Sequence, residues 1–372
     1  MATAVSVSSQ VPALTAYGEG LTAHGHGLDL ASRLIGRKQM RNGIHGIALI
    51  ALLVSGASAA PIPPLDLSEL VVQAELIVVA TVSSIAPGPQ VTIQSQGQSI
   101  QGQLGIANLV VHHTLKGSTA GTSVTVHFAR PEEAVGYRDL ADGTVGTFFL
   151  TQEGDVHHFV SPYYPYVRSR SPQKFTASSI LERVIEAVAH ELESDATSPT
   201  AKREAAMVLW GLRSSRAVKA LRSGLLSSDS DTALTAAAAL LAGGDTAALA
   251  AAERVLTSPA PGVSEVTIHN LEAGIREGVR DPASTAVLSR LLQSGGRDTR
   301  RAAIGAIRSM RSQVTIDTVV AALDDSDQQV RHAAVMTLAE LTGQLEWGPS
   351  LPAFALDEGR YIEHWKEWFR RR

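Results

Sequence analysis

One register in the carboxyl-terminal half constrains the fold more than any other feature. Arg203, Leu234, Ile268, Arg300 and Arg331 follow one another at spacings of 31, 34, 32 and 31 residues. Three residues after each stand Ala206, Ala237, Leu271, Ala303 and Ala334; seven after each stand Trp210, Leu241, Ile275, Ile307 and Leu338. A period of this length, with two helices per unit, predicts units that cannot bury an apolar face alone and so stack into a solenoid. The alanines let helices approach closely, and the large residue fills the gap between units.

The helix punctuation fits that period. Asp231, Asp298 and Asp327 precede first helices, and Asp281-Pro282 is a cap followed by proline at the first helical position. Gly243-Gly244 and Gly295-Gly296 fall between helices. The aspartate clusters lack the glycine and distal glutamate of a calcium hand, so they read as caps. Arg168–Gln173 reads as a polar linker, and from Phe175 the apolar period is helical, with Ile180, Val184, Ile185, Val188 and Leu192 on one stripe.

The segments RRAAIGAI (300–307) and VRHAAVMTLAEL (330–341) resemble HEAT repeats, of the short kind also seen in phycobilisome-lyase-like proteins. The likeness runs over roughly 196–343 and weakens in the third unit, where His269, Asn270 and Gly274 interrupt the pattern. The resemblance implies an α–α superhelix that binds a protein or peptide on a face lined by second helices. Lys219, Arg222, Arg254 and Arg290 stand at second-helix positions that would line such a face; as isolated charges they are equally solvated surface residues. After the expected solenoid (175–346), Trp347-Gly348-Pro349 breaks the chain, and Tyr361, Trp365, Trp368 and Phe369 share one short helix. This 347–372 segment reads as a cap over the open end of the stack.

Residues 61–170 have β character. Leu67–Ala74 predicts a short helix capped by Asp66 or Ser68. Strand candidates are 75–82, 91–93, 104–115, 123–128, 145–150 and 156–160, with a hairpin across Glu153-Gly154-Asp155. Short strands with Gly and Asp turns predict a small barrel or sandwich, similar to small OB-like barrels over about 67–165. The expected fold class is thus multidomain: a small β barrel or sandwich followed by an all-α, HEAT-like superhelical solenoid. Pro162-Tyr163-Tyr164-Pro165-Tyr166 lies at the junction and reads as a clamp between the two parts, or as a sticky recognition surface. His112-His113 and His157-His158 sit on strand candidates. Neighbours on a strand face opposite ways, so a metal would need one histidine from each pair and a third ligand the spacing does not supply.

Residues 41–60 (RNGIHGIALIALLVSGASAA) combine one arginine, the apolar run 47–54 and Ala57-Ser58-Ala59. That is a secretory signal peptide, expected at 40–59 and too short to span a bilayer. The 39 preceding residues are then an over-extended or disordered leader, with Met40 as the natural start. Cleavage would leave no apolar run long enough for a membrane span. The expected location is secreted or periplasmic.

Other classes fall away on composition and spacing. A net charge of −4 and 18% charged residues exclude a strongly basic nucleic-acid binder. Between Gly211 and Glu346 there is no Phe, Tyr or Trp, so the solenoid offers bases no stacking platform. The absence of cysteine excludes disulfides, thiolate metal sites and thiol nucleophiles. His190-Glu191 opens a zincin-like string, but Ser194 stands where a second histidine is required. The same dipeptide is similar to the metal pairs of HEAT-type deoxyhypusine hydroxylases, which need several such pairs; here there is one. Ser171-Pro172-Gln173-Lys174 spells S-x-x-K without its companion motifs, and no phosphate loop or dinucleotide fingerprint occurs. The expectation is a non-enzymatic protein-binding scaffold or adaptor with no cofactor and no metal. The alternatives are a metal-dependent enzyme using the β-domain histidines and a lyase-like assembly factor.

Overall fold

A computed structural model describes residues 65–95, 98–132, 138, 140–259 and 262–372. The expected leader 1–39, the signal segment 40–59 and the first residues of the β-rich part, 61–64, lie outside the described residues.

The chain enters through α1 (Leu67–Gln73), whose N-cap is Asp66, accepting from the Glu69 N–H at 3.0 Å. Six strands follow: β1 (Leu76–Ser95), β2 (Gln98–Lys116), β3 (Ser123–Pro131), β4 (Val145–Glu153), β5 (Val156–Phe159) and β6 (Tyr166–Arg168). Their order is β1-β2-β3-β5-β4-β6, and β4 also pairs back onto β1, so five strands close into a barrel. Only the β3–β5 pairing is parallel among the described pairs. The candidates 75–82 and 91–93 are one strand. It passes Pro87 and Pro89 because the β1–β2 register shifts between Pro87 and Gln90, an irregularity that spares ladder hydrogen bonds proline cannot make.

The unbroken apolar run of β1 has a packing reason. Leu76, Val78, Ala80 and Val82 face the barrel interior with Leu109, Val126 and Phe148. The alternate residues Ile77 and Val79 face outward, yet they are fully buried, in the cluster that also holds Val184, Ile185 and Val188 of α2 (Ile180–Glu193). A strand covered on both faces loses alternation. The outer face of the barrel and the solenoid therefore share one core, and the barrel interior is a second. The expected polar linker is built into it: Arg168 ends β6, and Ser169 is fully buried, hydrogen-bonded to Thr147 at 2.8 Å.

Helices then alternate as first and second members of each unit: α3 (Pro199–Val208) and α4 (Ser215–Gly224), α5 (Ser230–Ala242) and α6 (Leu249–Thr257), α7 (Glu265–Gly278) and α8 (Thr285–Ser294), α9 (Arg297–Met310) and α10 (Ile316–Ala321), then α11 (Gln328–Thr342). Ala206, Ala237, Leu271, Ala303 and Ala334 are all completely buried, as are Leu241, Ile275, Ile307 and Leu338; Trp210 is half-buried. The register arginines reach the next unit: Arg203 to Asp229 at 3.4 Å, Arg300 to Asp325 at 2.8 Å, and Arg331 to Glu358.

Three sequence expectations are corrected. Asp229, not Asp231, caps α5, accepting from the Thr232 N–H at 2.8 Å; Asp231 lies in the first turn. Asp298 lies in the first turn of α9, behind a Gly296 N-cap. Gly274 does not interrupt the pattern: a Cβ there would sit 2.4 Å from the Ala238 carbonyl oxygen. A Cβ on Gly278 would sit 1.8 Å from the Leu241 carbonyl oxygen, so these glycines let α5 and α7 come into backbone contact.

Short α12 (Leu351–Leu356) leads into α13 (Glu358–Arg370), which lies across the last unit. Trp365 and Phe354 are fully buried there, and Tyr361, Ile362, Trp368 and Phe369 pack against the same core. Among the described residues no helix is long and apolar enough to cross a membrane.

Candidate functional site

Each second helix divides its faces by residue size and polarity. α4 buries Ala217, Ala220 and Leu221 and leaves Lys219 and Arg222 exposed. α6 buries Leu249, Ala252 and Leu256 and exposes Arg254; α8 buries Leu288, Leu291 and Leu292 and exposes Arg290. The four cations thus stand on three successive second helices.

Two of them tie the helices together. Arg222 Nε donates to Asp245 Oδ2 at 2.8 Å, and Asp245 also caps the turn ahead of α6 by accepting from the Ala247 N–H at 3.0 Å. Burial pushes the Asp245 carboxyl up, but these hydrogen bonds outweigh it and leave the group below the usual range. Arg290 donates to both oxygens of Glu253, with Nη2 at 3.0 Å from Oε2, so α8 is tied to α6. That bond holds the Glu253 carboxyl below its ordinary value. Lys219 and Arg254 make no hydrogen bond or ion pair of their side chains with any described residue; Lys219 acts on Glu193 only through space.

In the opposite layer the protein itself closes over α5. α5 is buried nearly all round, from Thr232 to Leu241 apart from Ala233. Trp210 Nε1, just past α3, donates to Glu277 Oε2 of α7 at 3.1 Å, and Asn270 approaches Met207 in the same way. Side chains of units one and three therefore meet over the alanine-rich helix of unit two.

The histidine pairs do not converge. β3 lies between β2 and β5, so His112-His113 and His157-His158 never become sheet neighbours. His112 Nε2 lies 2.7 Å from Thr81 Oγ1, and His113 sits edge-on to Phe175 at 5.3 Å. His158 instead faces His127 on β3, ring centres 6.3 Å apart, and burial holds its pKa below the ordinary histidine value. The alternation of SVTVHF placed His127 on a strand, but only the parallel β3–β5 pairing sets it beside His158. Among the described residues no group of three or more acidic, histidine or cysteine side chains is placed to hold a metal.

The aromatic junction clamps rather than displays. Tyr166 is buried in the barrel core, and Tyr164 packs on the solenoid side. Arg138 lies 4.4 Å over the Tyr166 ring, and Arg138 and Arg168 both donate to Glu204 Oε2 of α3 at 2.7 Å. A further groove, of about 320 Å³, opens past the ends of α9 and α11; Arg308, Arg311, Gln313, Glu340, Leu341 and Leu345 line it. No spacing rule singled out these residues, because they come from the last turns of α9 and α11 and the segments that follow them, one repeat apart.

Residues 274–350 match the family model described as HEAT repeats. Among solved structures, the chain is similar to a designed armadillo repeat protein at 16% identity, over 42% of this chain and 82% of that one, with a TM-score of 0.30. It is also similar to an engineered protein at 19% identity, over 49% of this chain and 96% of that one, with a TM-score of 0.31. No curated protein matches the chain.

Proposed function

We propose that this HEAT-repeat protein is an exported, non-enzymatic scaffold that binds an acidic protein or peptide along α4, α6 and α8. Stacked repeats offer extended surfaces to protein partners, because each unit adds one strip of side chains to a continuous face. The observation that carries the choice of face is the contrast between its two layers. Around α5 the first-helix layer is covered by Met207, Trp210, Asn270 and Glu277, whereas the second-helix layer presents Lys219, Arg222, Arg254 and Arg290 to solvent. Arg222 and Arg290 are fixed by Asp245 and Glu253, so they hold their direction when a partner arrives; Lys219 and Arg254 carry the uncompensated charge. Export rests on the three-part signal at 40–59.

The test is capture of cross-linked partners from the cell envelope by the wild type and by a Lys219→Glu/Arg254→Glu variant. These two residues support no fold contact named above, so the variant should melt like the wild type and lose its partner. Undiminished capture sinks the assignment of this face. Mass spectrometry of the mature protein tests export: a terminus at Ala60 or Pro61 supports it, and an intact chain in the cytoplasm refutes it.

A further inference from the structure

The turns that end the first helices of four units share a left-handed residue. In three units it is glycine: Gly211 (φ 69°), Gly244 (φ 86°) and Gly343 (φ 76°). In the fourth it is Arg311 (φ 49°), the only non-glycine residue with positive φ among the described residues. A Cβ in this conformation crowds its own backbone, which is why glycine is the ordinary occupant. The fold does not need an arginine here, since its sister turns close without a side chain. Strain kept at one position of a repeat points to a use for the side chain.

That side chain borders the groove of about 320 Å³. Arg311 is exposed and its guanidinium has no hydrogen-bond or ion-pair partner among the described residues. The other charges of the groove are matched, Arg308 Nε donating to Glu340 Oε2 at 3.1 Å. Gln313 Nε2 donates to the Leu341 carbonyl at 2.7 Å and pins one turn to the other. Leu345 leaves 66% of its surface exposed beside them. The groove thus offers one uncompensated cation next to aliphatic surface on a fixed frame.

We infer that this groove binds a peptide segment carrying a carboxylate beside an aliphatic side chain, the carboxylate on Arg311 and the aliphatic group on Leu341 and Leu345. A guanidinium fits a carboxylate through paired donors, and the exposed leucine gives the neighbouring side chain apolar contact. The inference rests on the protein-binding reading above but concerns a separate part of the surface.

A random dodecapeptide phage library, panned on the full chain, tests it. Enriched peptides are expected to share Asp or Glu next to Leu, Ile or Val. A synthetic peptide from that set should bind at least about tenfold more weakly after its own Glu→Gln change, and likewise to Arg311→Gly, the loss of one charge-assisted hydrogen bond. Arg311→Gly should melt no lower than the wild type, because glycine relieves the strain. Peptides that bind the variant equally well, or lack the acidic residue, overturn the groove and leave the scaffold reading standing. A variant that melts lower makes Arg311 structural and also overturns it. Failure to enrich any peptide overturns the groove, and the scaffold reading then stands or falls on its own cross-linking test.

Discussion

Trp210 and Glu277 are 67 residues apart and hydrogen-bonded at 3.1 Å, and α5, the first helix of the unit between theirs, runs beneath their contact. The bridge explains an odd composition. α5 reads SDTALTAAAALLA and has no polar face, because it has no free face: α3 and α7 close over it. Only small side chains let its neighbours approach that far.

The α5–α7 contact predicts a reversal of the usual glycine rule. In an ordinary helix interior, Gly→Ala stabilises by about 1 kcal/mol. Gly278→Ala would place a Cβ 1.8 Å from the Leu241 carbonyl oxygen, so the helices must separate. The expected cost is roughly 1–3 kcal/mol, the range for overpacking, read by denaturant melts. A stabilised Gly278→Ala would show that the two backbones are not in contact.

Ile307 is completely buried between units. Ile307→Asp removes its packing and leaves an unpaired carboxylate in an apolar site, at a cost of roughly 3–5 kcal/mol. Circular dichroism melts check it; a midpoint equal to wild type would mean that the repeat register is wrong.

Glu204 gathers Arg138 and Arg168 from the barrel side onto α3. Glu204→Ala leaves two half-buried guanidinium groups facing each other without their acceptor. About 1.5–3 kcal/mol should be lost, the value of hydrogen bonds to charged groups. The shared core predicts that barrel and solenoid still unfold in one transition. Two resolved calorimetric transitions in the wild type would contradict that.

Carboxylates predict opposite pH effects at two places. Asp327 caps α11 and accepts from Arg301, and that hydrogen bond leads the causes that hold its carboxyl below the usual range. Its folded pKa is depressed, so its contribution is present above the unfolded value and is lost as pH falls through the folded one. Burial of Glu272 raises its carboxyl, against a hydrogen bond from Thr299. Its folded form binds the proton more tightly, so the site loses stability as pH rises from the unfolded value through the folded one. Glu272→Gln keeps an acceptor for Thr299 without the charge, and it should raise the melting temperature at pH 8 more than at pH 4. An equal change at both pH values would deny the buried charge.

The sequence alone determined what local chemistry repeats: the 31–34-residue register, the alanines and large apolar residues buried on it, the strand–turn pattern of the first part and the aromatic helix at the end. Period and residue size suffice for these, because each unit meets its neighbours in nearly the same way. Tertiary structure decided whatever depends on separate stretches meeting. It set His127 rather than His112 or His113 beside His158, because a parallel pairing put β3 between β2 and β5. It made Gly274 a contact instead of a defect, because α7 lies on the backbone of α5. It bound Arg222 and Arg290 to carboxylates 23 and 37 residues away while leaving Lys219 and Arg254 to solvent. And it gave Arg311 a left-handed backbone at the edge of a groove, which no spacing rule foresees because the strain and the groove exist only once two turns stack.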